Sequence, residues 1–127
     1  MNRSAVVEAY WHCYRNSLSH DRSARLLANE TSWAFEEVER SVADADDDVV
    51  ELLCALATAA PDDDGLAYLG AGPIENLLCA HSSRFGDAID SAARRDARFR
   101  TALRCAWFDE KVSVELAARL RRFGQPL

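Results

Sequence analysis

Apolar residues recur along this chain at intervals of three and four, the spacing of one helical face, and no segment alternates as a half-buried strand would. Val7, Tyr10, Trp11, Tyr14 and Leu18 form an aromatic stripe on a first helix, with Ser4 placed to cap it. Asp21 is placed to cap a short helix through Leu26 and Leu27. A third helix begins between Asn29 and Ser32, carries Trp33 near its start, turns Phe35, Val38 and Val42 inward, and stops in the Asp44 to Asp48 stretch. Glu36, Glu37 and Glu39 lie mostly outward on it. The next helix buries Val49, Val50, Leu53, Leu56, Ala57 and Ala60, and Pro61 ends it because proline disfavours a helical conformation in the residue before it.

Gly65 to Leu69 reads as a brief helical turn that Gly70 closes in a left-handed conformation, and Pro73 suits the first position of the following helix. That helix carries Ile74, Leu77, Leu78 and His81 on its stripe, and another runs from about Phe85 through Ile89 and Ala92. Asp96 is placed to cap a helix through Phe99, Leu103 and Trp107. The last has Leu116, Ala117, Leu120 and Phe123 inward and is stopped by Gly124 and Pro126. The pattern predicts an all-α fold in one domain, residues 1–127: a compact bundle of seven or eight short helices, for which HEAT-like antiparallel helix pairs are one arrangement.

Composition agrees with this picture. With 49% hydrophobic and 28% charged residues the chain is in the globular range, and at 127 residues it buries enough surface to fold without staples. Cys13, Cys54, Cys79 and Cys105 show no paired spacing and read as buried helical thiols. The most apolar run, Leu52 to Ala60, is far shorter than the ~20 residues needed to cross a bilayer. Arg3, Glu8 and Arg15 interrupt the first segment as a leader, so the expected compartment is the cytoplasm.

Three stretches carry a resemblance: Trp33 to Val38 (WAFEEV), Ala71 to Leu78 (AGPIENLL) and Arg94 to Leu103 (RRDARFRTAL), followed by Trp107. Together they resemble a bacterial family of small proteins known only as a domain of unknown function, DUF6869. The resemblance covers most of the chain from Trp33 onward and implies an α-helical protein, with no activity to carry over. It marks Trp33, Gly72, Pro73, Glu75, Arg95, Asp96, Phe99 and Trp107 as motif residues with structural roles. The chain departs from the pattern at Ala97, where proline is expected, and at Ser82 and Ser83, where glycine is common; both changes weaken the helix breaks expected there.

Familiar chemistry fails at named residues. Gly70 and Gly72 before a helix could hold an anion on free N–H groups, but no Walker lysine follows and Glu75 brings a negative charge into that turn. Asp44, Asp46 and Asp48 alternate like the start of a calcium loop, yet Val49 stands where glycine is required and Ala55 where the closing glutamate belongs. His12 with Cys13, and Cys79 with His81, are too close in sequence to point to one zinc ion from a helix. No metal, cofactor or catalytic set is therefore expected, and Asp62 to Asp64 reads as a cap with a solvated loop. Glu36, Glu37 and Glu75 with His81 remain an acid–base group in search of a cleft.

Charge is what rises above background. Residues 1–64 hold 5 arginines against 14 acids, net −9, and residues 65–127 hold 10 basic residues against 7 acids, net +3. One reading is that the halves neutralise each other, with Arg94, Arg95, Arg98, Arg100 and Arg104 pairing with acids on neighbouring helices. The sharper reading makes Glu36, Glu37, Glu39, Asp44, Asp46, Asp47, Asp48 and Glu51 a docking face for a basic protein partner, as in an immunity or antitoxin-like protein. Nucleic acid is a poor partner for a chain whose one lysine is Lys111. The alternatives are a small hydrolase or transferase using Glu75 and His81, and an adaptor that self-associates through the aromatic first helix.

Overall fold

The computed structural model describes residues 2–108 and 111–123. In chain order these form α1 (Arg3–Ser17), α2 (Arg22–Thr31), α3 (Trp33–Ala43), α4 (Val49–Ala59) and α5 (Asp63–Leu69), a π-helical turn (Gly70–Ile74), then α6 (Glu75–Arg95), α7 (Ala97–Leu103) and α8 (Val114–Arg121). The fold is all-helical, with no strand among the described residues. Six helices reach eight residues or more while α5 and α7 have seven each, so the expected seven or eight is slightly high. The helices expected on either side of residues 82–84 run on as α6 across a kink at His81, whose backbone leaves helical geometry (φ −138°, ψ 34°), so the interruption lies one residue before the expected break. Ser82 and Ser83 carry it onward where a glycine would have favoured a break.

Several boundaries follow from local chemistry. The carboxylate of Asp21 accepts the Ser23 N–H, and that of Asp96 accepts the N–H groups of Arg98 and Phe99, so both cap the first turns of their helices. The break before Ala97 thus survives without proline. Ala60, before Pro61, is extended (ψ 135°) and closes α4. The cap of α1 is Asn2, whose side chain accepts the Ser4 N–H, and Ser4 instead sits inside the first turn. Leu18 ends that helix 65% exposed rather than on the buried stripe. Helix α7 stops at Leu103, which leaves Trp107 in the following loop, and Gly124 and Pro126 lie outside the described residues.

Helix α3 ends in a Schellman motif. The Ala45 N–H reaches the Val42 carbonyl at 3.2 Å and the Asp46 N–H the Ser41 carbonyl at 3.1 Å, with Ala45 left-handed at φ 54° where glycine is usual. That conformation costs an alanine about 1–2 kcal/mol. Its methyl is buried in the core, which returns roughly 0.8 kcal/mol.

One apolar cluster joins residues of every helix except α2. Trp11, Phe99 and Phe108 are its largest fully buried side chains, and the indole N–H of Trp11 donates to the Leu56 carbonyl at 2.9 Å, tying α1 to α4. Ala28 is the one buried residue of α2. Cys13 meets the Ala28 carbonyl and His12 meets Thr31, each at 3.3 Å, an order that makes α1 and α2 antiparallel. Leu26 and Leu27 remain 56% and 44% exposed.

The joint at residues 70–74 is a widened turn rather than a break. Gly70 is right-handed (φ −68°, ψ −46°), so its glycine is not required by a left-handed cap. A methyl group there would lie 1.8 Å from the Ala102 carbonyl oxygen; glycine is needed because the backbone of α7 passes so close. Pro73 sits inside the turn instead of starting α6. Its ring crowds an α-helix and it lacks an N–H, and the extra residue of the π turn, in which the Glu75 N–H reaches back to the Gly70 carbonyl, gives it room.

Candidate functional site: an aromatic cavity beside an acidic helix

Helix α3 presents carboxylates outward because its apolar residues Ala34, Val38 and Val42 occupy the inner stripe. Most of the acidic ridge already has partners. Arg40 binds Glu37 at 2.8 Å, Asp44 at 3.1 Å and Asp46 at 2.8 Å, and its hydrogen bonds hold the Glu37 and Asp46 carboxyls below their ordinary range. Arg84 of α6 binds Asp47, and Arg3 of α1 approaches Asp48 and Glu51 at 3.5 and 3.6 Å. Glu36 and Glu39 have no ion pair among the described residues. The ridge is therefore two regions: a matched turn after α3, and two unmatched glutamates on the helix itself.

The arginine-rich segment behaves differently from its composition. Arg98 donates to the Ala57 and Ala60 carbonyls at 2.9 and 2.6 Å, at the C-terminal end of α4 where backbone carbonyls outnumber helical donors. Arg100 donates to the Ala93 carbonyl, Arg104 to the Phe123 carbonyl and Arg95 to the Ser91 hydroxyl. Arg94 pairs with an acid, Asp90, but on its own helix. Backbone carbonyls near helix ends compete with carboxylates for planar donors, and here they prevail at Arg98, Arg100 and Arg104.

Asp90 is the buried acid among the described residues, 2% exposed, and it accepts from Arg94 at 3.2 Å, Arg119 at 2.5 Å and Arg122 at 2.8 Å. Burial works against its ionisation, yet the hydrogen bonds from Arg119, Arg94 and Arg122 outweigh it and lower the carboxyl to about 2. This cluster fastens α8 to α6, beside the close approach of Gly86 to Leu116.

A separate cavity of about 380 Å³ opens where α1, α3, α5, the π turn and the start of α6 meet. Tyr10, Phe35 and Tyr68 form its aromatic wall. Tyr10 meets Phe35 edge-on at 4.6 Å, and Phe35 lies nearly parallel to Tyr68 at 6.0 Å. Gly72, Pro73 and Asn76 come from the π turn and the start of α6, and Glu39 is the carboxylate of the lining, which holds no arginine or lysine. A Cβ built on Gly72 meets nothing within 4 Å.

Tyr10 is 2% exposed, and its hydroxyl has no hydrogen-bond partner among the described residues. The neighbouring Trp11, equally buried, satisfies its polar atom on Leu56. Burial above all, then Tyr68 and Glu39, push the Tyr10 phenol far above its ordinary ionisation range. It is a neutral group able to donate or accept.

The motif residues divide between scaffold and cavity. Phe99 is core and Asp96 a cap, while Arg95 is exposed and bonds Ser91. Glu75 accepts the Trp107 N–H at 2.6 Å and so ties the start of α6 to the loop after α7. Gly72 and Pro73 line the cavity, and Trp33 is 37% exposed at the start of α3. His81 reaches the Ala43 carbonyl at 3.2 Å, so Glu75 and His81 engage different backbone groups and neither lines the aromatic cavity. The aromatic stripe of α1 is enclosed in its own core. Of the cysteines only Cys13 is buried: Cys54 is intermediate, and Cys79 and Cys105 are exposed because they fall on the outer face of α6 and in the turn after α7.

The sequence pattern puts Tyr10 and Phe35 on inward stripes and Glu39 in the ridge, and it marks neither Tyr68 nor Asn76. The one available signal was a tyrosine and an asparagine flanking the Gly-Pro joint.

Among the described residues, no helix is long and apolar enough to cross a membrane. No curated protein and no solved structure matches the chain. The model of DUF6869, a family of unknown function, matches residues 20–125, which include every cavity residue named above except Tyr10. The chain therefore belongs to the DUF6869 family of unknown function.

Proposed function

We propose that this chain is a non-enzymatic binding domain that docks a basic protein partner through the outer face of α3, in the manner of an immunity or antitoxin-like protein. The observation that carries the reading is the unequal matching of the acidic residues. Six of the eight carboxylates, those at 37, 44, 46, 47, 48 and 51, already face arginines of the same chain, while Glu36 and Glu39 keep unmatched charge, Glu39 in the lining of an aromatic cavity. Unmatched charge next to apolar surface favours a partner of opposite sign, through faster encounter and a specific register. The docking centre is thus Glu36 and Glu39, with the arginine-matched residues at its rim. A polyanion is disfavoured: Arg98, Arg100 and Arg104 direct their guanidiniums at backbone carbonyls, and net charge is −6.

The test is capture from the native host on immobilised protein at several ionic strengths, with E36Q/E39Q and D46N/D47N/D48N variants beside the wild type. A partner released by salt, lost with the double variant and retained by the triple variant is the expected result. Retention indifferent to salt and to both variants overturns electrostatic docking.

A further inference from the structure

We propose that the cavity bounded by Tyr10, Phe35, Tyr68, Glu39 and Gly72 is a binding site for the cationic head of an arginine or lysine side chain presented by the partner. The inference rests on the docking reading above and specifies what enters the cavity. Three independent observations converge on it.

The first is the wall. Three aromatic rings lie within 4.6 to 6.5 Å of one another, and Tyr68 remains 46% exposed, so part of the cluster is open to the outside. An aromatic face attracts a guanidinium or ammonium through its quadrupole, more strongly where water is partly excluded. The second is charge. Glu39 lines the cavity without an ion pair among the described residues, and the lining contributes no cation of its own. Along the same helix Arg40 collects Glu37, Asp44 and Asp46, so the missing counter-ion is a property of this position and not of the surface at large.

The third is the Tyr10 hydroxyl, 2% exposed and without a partner among the described residues. Buried hydroxyls in native structures are nearly always satisfied. As a neutral phenol it can accept an N–H from a cationic head, which has donors only. Arginine matches best, since its planar head can lie on the Tyr68 face while its N–H groups reach Glu39 and Tyr10. The cavity volume, about 380 Å³, accommodates a long side chain and falls within the range of small-ligand sites.

The probes are Nα-acetyl-arginine methylamide, the corresponding lysine and norleucine compounds, and tetramethylammonium, titrated into the intact chain while amide resonances of Gly72 and Asn76 are followed. The expected result is saturable shifts at those amides with the arginine and lysine compounds, at least about ten-fold weaker with norleucine. E39Q should weaken arginine binding by about ten-fold. G72L should abolish it, since its side chain projects into open space and leaves the packed side of the turn untouched. Tyr10→Phe should weaken arginine more than norleucine.

Equal binding of norleucine and arginine would reduce the cavity to an apolar pocket and overturn the inference. So would an absence of any shift at Gly72 and Asn76 into the tens of millimolar, or binding of tetramethylammonium alone, which would make the occupant a free cation. These readouts need no partner, so the cavity can fail while salt-dependent capture stands, and capture can fail while the cavity binds.

Discussion

Asp90 and Glu39 are two carboxylates of one all-helical chain, and the structure treats them in opposite ways. Asp90 is buried on the closed side of α6, where Arg94 of the same helix, Arg119 of α8 and Arg122 just after it converge. Glu39 stands at an open cavity with no cation of its own among the described residues. The π turn repeats the contrast over two residues. At Gly70 an added methyl would collide with the Ala102 carbonyl, whereas at Gly72 it would meet nothing. Groups on the closed side are saturated by the chain itself, and stability resides there. Groups on the open side are left unsatisfied, and that is where a ligand can gain.

The comparison is broken most severely at Gly70. Gly70→Ala places Cβ 1.8 Å from a backbone oxygen, which no rotamer can relieve, so α7 must move off the turn. The expected loss is about 3 kcal/mol or more in chemical denaturation, the scale of a forced backbone clash. An unchanged midpoint would refute the close approach.

Next comes Asp90→Asn, which leaves three guanidiniums around a neutral amide. Removing one member of a buried ion pair costs about 3–5 kcal/mol, but these arginines keep roughly half of their surface in water, so about 2 kcal/mol is expected. The pH dependence gives an independent check. Asp90 is held at about 2, below the value near 4 of an unfolded carboxyl, so the unfolded chain binds its proton first. Its contribution is complete above about pH 4 and is lost as the pH falls toward 2. Acid unfolding of D90N should be shallower across that window.

The smallest effects belong to the open side. Gly72→Ala should leave stability unchanged or raise it by up to about 1 kcal/mol, because alanine restricts the unfolded chain and has room in the folded one. E39Q should shift stability by less than about 0.5 kcal/mol, since no ion pair is lost. A substantial destabilisation at either position would erase the distinction between the two sides.

Local chemistry made much of the scaffold legible. Asp21 and Asp96 as caps, and Pro61 as a stop, depend on a few neighbouring residues, and all three hold. Features that depend on distant approach were hidden: Gly70 looks like a left-handed cap until α7 is seen lying against it. Counting charges by halves showed an imbalance but not its pairing, because Arg98, Arg100 and Arg104 turn to carbonyls that only the fold brings near. Part of the ridge could have been read directly. Glu37, Arg40 and Asp44 stand at helical spacings of three and four, which already assigns two of the acids to one arginine. The cavity had no such signature, since Tyr10, Phe35 and Tyr68 come from three helices and meet only after folding.

The π turn also acts as a phase adjuster. An α-helix advances about 100° per residue, so a turn holding one extra residue resets the angular position of everything that follows it. With the turn in place, Leu77, Leu78 and Ile89 of α6 face the same core as Leu66 and Leu69 of α5. Keeping all five residues of 70–74 but winding them as an ordinary α-helix would rotate α6 by about that angle against α5. Asp90 would swing away from α8 and the Gly-Pro rim away from Tyr68, so a single register choice sets both the lock and the opening.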